Sequence, residues 1–342
     1  MVAIYPYRKT GSAPADVLRI AMTTKLSHHQ QYLIEEFAEA YVDKRMERRE
    51  LLRRVVLLTG SVPLTATMLF ALGCGDSDDD APAAAATATT VPAPFATTEA
   101  GVGPGVPATD PSIIGADIKL KGQAGDVLAY MARPAREGTY PAVLIIHENQ
   151  GLLEHFKDVA RRFAKEGFVG LSIDLLSRKG GTTTDMAAVM QAYRELTTAD
   201  FVADMKSSLD YLKAQPFVKP AALGVTGFCF GGTQTWSILM NAPELKAAIP
   251  FYGSLDPALQ PDLAKTKAAV MVVYGGNDAR ITAQAPMIEE QLKAAGQPYE
   301  IKIYEGAGHA FFNEGRGAPY NATASADAWK SMLGWFRKYL TA

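Results

Sequence analysis

LGVTGFCFGG, residues 223–232, sets a single cysteine between two glycines, each two positions away. An apolar, partly β-branched run leads into it, and the residues after Gly231 carry a helical pattern. A cysteine that only fills a core needs no such fence. A cysteine on a sharp strand-to-helix turn does, because its neighbours must be small for the backbone to pass. Cys229 is therefore read first as a nucleophile on such a turn, with a small buried core residue as the plain alternative.

The surrounding pattern supports the turn. From about Ser112 onward, strand-like and helix-like segments alternate. ADIKLKG and GDVLAYMARP suggest a hairpin around 122–125. PAVLIIH (141–147) is a continuous apolar run of the kind buried on both faces of a parallel sheet. A helix with Phe156, Val159, Ala160, Phe163 and Ala164 on one side follows, then FVGLSIDLL. Residues 186–214 read as helix, AALGVT as strand and 231–240 as helix. Strands recur at KAAIPFY, AAVMVVYGG and YEIKIYEG, with helices over 284–295 and 325–340. The alternation predicts an α/β fold, a mostly parallel central sheet with helices on both faces. Ligands in such folds sit at the carboxyl ends of the strands.

Three chemically useful residues fall at those ends. Cys229 follows ALGVTG, Asp278 follows VMVVYGGN, and His309 follows IKIYEGAG. Nucleophile, acid, histidine is the chain order of the α/β-hydrolase triad. A neutral thiol is a poor nucleophile, so an imidazole must take or hold its proton. The helix opening at Phe230 would favour negative charge on the sulfur. His309 would return the proton to the leaving group, and Asp278 would fix the imidazole tautomer. The expected oxyanion donors are the backbone N–H groups of Phe230 and Asn149. Taken singly, His309 and Asp278 also suit a strand-end cap and an ordinary turn; their joint order is the signal. Trp236, Phe228, Phe230, Phe251, Tyr252 and Phe311 would supply either an aromatic pocket or core. His155 begins a helix, and no histidine set has metal-ligand spacing. No cofactor is expected.

On HENQGL, GFCFGG, YGGND and GAGHAFFNE, the chain from about residue 115 resembles the dienelactone hydrolase family of the α/β-hydrolase fold. The resemblance implies hydrolysis of an ester or lactone through an acyl-cysteine. It also implies that Glu148 contacts the resting thiol and is displaced by substrate. A carboxylate there would disfavour thiolate and shield the sulfur from oxidation. Well-studied members hold a substrate carboxylate with an arginine four residues after the histidine and a serine directly after it. Here Asn313 and Ala310 stand in those places, and Val189 replaces a second family arginine. Arg178 does match a family position and is a candidate substrate contact. Two missing charge-assisted contacts, each worth about 1.5–3 kcal/mol, point to a less anionic substrate. The rival readings are a non-catalytic binding protein on the same fold and a thiol redox enzyme, the latter without a second cysteine in the domain.

The first hundred residues read as an address. Arg48 and Arg49, with Arg53, resemble a twin-arginine export signal, and a diluted apolar run extends from Val55 to Leu72. That run is marginal against the about 20 apolar residues of a membrane span. Ala71-Leu72-Gly73-Cys74 resembles a lipobox, with Cys74 as the lipidated residue. The expected organisation is a presequence over 1–74, with Met22 an alternative start. A disordered Ala/Thr/Pro/Gly linker over 75–112 and a hydrolase domain over 113–342 complete it. GVGPGV in the linker has no preceding strand and is not a dinucleotide loop. Upstream, Leu33, Phe37 and Tyr41 mark a helix without an assigned role. The expected partners are a small ester or lactone, the twin-arginine export machinery, and the membrane through lipid or an uncleaved signal. The expected location is the cell envelope. A net charge of -2 over 342 residues gives no reason to expect nucleic acid.

Overall fold

The computed structural model describes residues 26–61 and 105–341, which belong to two separate units divided near Ala100. Cys74, Met22 and most of the expected linker lie outside the described residues.

In the first unit, helix α1 (His28–Val42) is opened by a capping box in which Ser27 and Gln30 serve each other's backbone. Helix α2 (Arg48–Thr59) starts at the arginine pair and ends on Gly60 in the left-handed conformation. The Arg54 guanidinium lies 5.4 Å from the Phe37 ring, joining the two helices. Among the described residues, no helix is long and apolar enough to cross a membrane.

The second unit is built on eight strands in the order β1-β2-β4-β3-β5-β6-β7-β8. They are β1 (Ile113–Gly122), β2 (Gly125–Pro134), β3 (Tyr140–Ile146), β4 (Val169–Ile173), β5 (Val218–Phe228), β6 (Ala247–Phe251), β7 (Ala269–Gly275) and β8 (Tyr299–Tyr304). The β1–β2 hairpin and the β2–β4 pairing are antiparallel, and every other pairing is parallel. All residues of β3, β4, β6 and β7 are buried, as continuous apolar runs in a doubly covered sheet should be.

Helix α3 (Glu154–Lys165) follows β3, and helices α4 (Met186–Glu195) and α5 (Thr198–Lys213) follow β4. Helix α6 (Phe230–Asn241) follows β5, α7 (Ala285–Ala295) precedes β8, and α8 (Ala322–Leu340) closes the chain. Helices α3 and α8 share one side of the sheet, where Phe163 meets Trp329 and Phe336. On α4, α5 and α6, the rings of Tyr193, Phe201 and Phe230 meet. The strand order reverses beside β3, so the crevice between the ends of β3 and β5 is the switch point where such sheets place ligands.

Two expectations are corrected. The helix expected over 186–214 is two helices, because Thr197 caps α5 with Asp200 in a reciprocal box while its own backbone is extended. Residues 105–112, expected as the end of a disordered linker, instead pack on the second unit. The Val106 N–H donates to Asp158 on α3 at 2.6 Å, and its carbonyl accepts from Arg161, so this short stretch satisfies buried charges on the helix.

Candidate active site

Cys229 occupies the turn from β5 into α6 at φ 57° and ψ -118°. A side chain rarely adopts this conformation, and holding it costs on the order of 1–3 kcal/mol. Two glycines make the turn possible by close approach. A Cβ on Gly227 would lie 2.1 Å from the Gly231 carbonyl oxygen, and one on Gly231 would lie 2.3 Å from that of Ile146. The fence in the sequence therefore packs the start of α6 against the end of β3. Tyr252, at the end of β6, and Ala310, beside His309, also have positive φ, at 36° and 61°. Among the described residues of this unit, the three non-glycine positive-φ positions all fall at carboxyl ends of the sheet. Stored strain of this kind collects at functional sites.

Asp278 leaves β7 and caps a short helical turn through Ile281 N–H, while its Oδ2 lies 2.6 Å from His309 Nδ1. Asn277 N–H donates to the Ala307 carbonyl at 2.9 Å, tying the loop after β7 to the loop that carries His309. With Nδ1 occupied, the other ring nitrogen of His309 is left for Cys229. The sulfur and a His309 ring nitrogen lie within 4.8 Å of each other. Burial pushes the His309 pKa down. The Asp278 carboxylate and the Cys229 sulfur outweigh it, holding the imidazole well above its ordinary value. Burial likewise pushes Asp278 up, and the imidazole beside it holds the carboxyl below its usual range. Both directions favour an imidazolium paired with the Asp278 carboxylate.

Glu148, directly beyond β3 and His147, has a placement that sequence alone did not supply. Its carboxylate accepts from Arg316 Nε at 2.7 Å, Asn313 Nδ2 at 3.0 Å and the Tyr252 hydroxyl at 3.4 Å. Burial raises its pKa, but Arg316, His155 and Asn313 together more than offset this and the carboxyl sits below its ordinary value. Arg316 also donates to Asn149 Oδ1 at 3.0 Å. Tyr252 lies 5.0 Å from His309 between ring centroids, and Phe311 lies 5.6 Å from Tyr252. These two aromatics are brought to the site. Phe228 instead stacks with Phe312 behind it, and Phe251 meets Phe312 at a tilt.

Two expected substrate contacts are corrected. The Arg178 guanidinium is already held by Asp204 through paired 2.9 Å bonds and by Asp200, which fastens the turn after β4 to α5. Trp236 is fully buried, and its Nε1 donates to the Gly253 carbonyl at 3.4 Å, fixing α6 to the chain beyond β6. Sequence reasoning missed Arg316, which lies seven positions after His309 rather than four. It also missed the pairing of His155 with Glu314 at 2.9 Å, which anchors the same loop to α3.

A doubly wound sheet with a strained cysteine elbow, and an acid and a histidine at later strand ends, defines an α/β-hydrolase fold. The dienelactone hydrolase family model matches residues 127–340, and the chain belongs to that family. A Methylorubrum extorquens protein named "Putative carboxymethylenebutenolidase" is 35% identical over 246 residues, covering 68% of this chain and 84% of its own. Protein usf of Aquifex pyrophilus is 33% identical over 221 residues, covering 63% and 94%. The crystal structure of a Klebsiella pneumoniae protein described as a "Putative Dienelactone Hydrolase" is 30% identical with a TM-score of 0.61. It covers 66% of this chain and 99% of that one.

Proposed function

We propose that the protein is an exported hydrolase that cleaves an ester or lactone through an acyl-cysteine on Cys229. The observation that carries the proposal is the placement of His309 between Asp278, at 2.6 Å, and the sulfur at the elbow. In this reading the thiolate, stabilised by the imidazolium and the start of α6, attacks the carbonyl carbon. The negative oxygen that forms is met by the N–H groups of Phe230 and Asn149. His309 then protonates the departing alkoxide, leaving a thioester. Water attacks that thioester with His309 as base, and the acid and the resting thiolate–imidazolium pair are released.

Glu148, which the resemblance sets against the resting thiol, takes up no proton in this scheme. Arg316, Asn313 and Tyr252 hold it, and its charge and that of Arg316 offset each other. The pairing supports a substrate less anionic than a dienelactone carboxylate. Turnover of p-nitrophenyl acetate tests the reading. The wild type should show Cys229-dependent hydrolysis and an acyl adduct by mass spectrometry. Equal rates for wild type and Cys229→Ala would leave a non-catalytic binding protein instead.

Export rests on Arg48, Arg49 and the Ala71–Cys74 stretch. Labelled palmitate should enter the protein at Cys74. No label, together with unchanged membrane association of Cys74→Ala, would remove the lipid anchor.

A further inference from the structure

The geometry points to His147 as a positioning residue that aims the Asn149 N–H at the reacting oxygen. The inference rests on the proposed Cys229 chemistry and adds to it the group that orients one oxyanion donor.

His147 directly follows β3 and is wholly buried, so both ring nitrogens need partners. Nε2 lies 3.0 Å from the backbone nitrogen of Leu175. A backbone amide can only donate, so Nε2 accepts and carries no proton. Asp174 Oδ1 is 3.7 Å from Nε2, beyond hydrogen-bond reach, and the Asp174 carboxylate instead accepts from the amides of Leu176 and Thr182. The ring proton therefore sits on Nδ1, which lies 2.6 Å from the Glu148 carbonyl oxygen and donates to it.

That carbonyl shares a peptide plane with the Asn149 N–H. The described chain has no cis peptide bond, so the two groups point in opposite directions. Fixing the oxygen fixes the direction of the N–H. The same oxygen also accepts from Gly151 N–H at 3.2 Å. Two donors on one carbonyl polarise the peptide and strengthen its N–H as a donor. On its other side the loop is held by Arg316, through the Glu148 carboxylate and Asn149 Oδ1. The elbow is brought close by Gly231, whose Cβ would lie 2.5 Å from the His147 carbonyl oxygen. The loop thus has no need to reorganise when charge develops on the substrate, which is what an oxyanion donor requires.

Two amide side chains separate the roles of the two nitrogens. Asparagine places an amide where Nδ1 stands, and glutamine places one where Nε2 stands. Three variants, His147→Asn, His147→Gln and His147→Phe, are assayed with p-nitrophenyl acetate. In parallel, alkylation of Cys229 by iodoacetamide reads thiolate and access but forms no oxyanion. The expected result is a fall in kcat of about tenfold to a hundredfold in His147→Gln and His147→Phe, with little change in KM. His147→Asn should recover most of the rate, and alkylation should stay within about twofold in all variants.

If His147→Phe does not fold, the contrast between His147→Asn and His147→Gln decides. Equal rates in those two variants, or acylation and alkylation falling in parallel, would overturn the assignment while leaving Cys229 catalysis standing. Equal turnover by wild type and Cys229→Ala would remove the catalytic reading and the assignment with it.

Discussion

Arg316 and Glu148, 168 residues apart in the chain, meet at 2.7 Å, with Glu148 almost wholly inaccessible and Arg316 partly exposed. The pair joins the loop after β3 to the loop after β8, the segments that carry Asn149 and His309. Removing one member of a buried ion pair strands the other, at a cost of about 3–5 kcal/mol; the partial exposure of Arg316 places the expected loss near the lower end. Arg316→Ala should therefore lower stability by roughly 3 kcal/mol, while Glu148→Gln/Arg316→Ala should lose less than the sum of the single changes. Urea unfolding of the four proteins tests this, and strict additivity would show that the two charges do not act as a pair.

Gly231 and Gly334 predict opposite outcomes for the same substitution. A methyl at Gly231 meets the backbone oxygen of Ile146 at 2.3 Å, and neither group can move without shifting the elbow. Gly334 lies exposed within α8, and a methyl there meets nothing within 4 Å. Gly231→Ala should lower stability by about 1–3 kcal/mol and reduce hydrolysis far more than Gly334→Ala. Gly334→Ala should raise stability by roughly 0.5–1 kcal/mol, since glycine is costly inside a helix. Thermal unfolding midpoints moving the same way in both variants would contradict this account.

The parts of the site legible in the sequence were those fixed by local pattern. Buried strands announce themselves as apolar runs, and the elbow by its glycines, so Cys229, Asp278 and His309 could be placed at strand ends. Partners chosen by tertiary packing left no such trace. Arg178 reads as an available cation in the sequence, but Asp200 and Asp204, one helical turn apart on α5, hold it. Arg316 has no sequence signature, because a 3-10 turn over Glu314–Arg316 brings it back to Glu148. The break between α4 and α5 was present as Thr197-x-x-Asp200, but the apolar pattern runs on through it.

The imidazole of His309 is held above its ordinary 6.5 by Asp278 and the sulfur, although burial pulls it down. Its favourable contribution to folding is thus complete below about 6.5 and fades as pH rises through the raised value. Asp278, held below its ordinary 3.8, contributes fully above that pH and loses its effect in acid. Hydrolysis that needs the imidazolium should lose rate on an alkaline limb lying above 6.5. Asp278→Asn should move that limb downward, because the negative neighbour is gone. A kcat/KM profile with the limb unchanged in the variant would separate Asp278 from the chemistry.

Glu314 gives the loop bearing His309 an acid sensitivity of its own. Burial pushes its pKa up, but His155 on one oxygen and Arg162 on the other bring it from 4.5 to about 2. The sign follows from the lowered value: the unfolded chain takes up the proton first as pH falls. The stabilisation is therefore fully present above 4.5 and is lost as pH drops toward about 2. Converted by linkage, the difference is on the order of 3 kcal/mol. Glu314→Gln has no carboxyl to titrate, so its stability should fall less steeply than that of the wild type across this window. Urea unfolding at several pH values between 2 and 6 measures the two curves. Parallel curves would mean that Glu314 does not hold the loop through its charge, and that the contact with α3 is only one of packing.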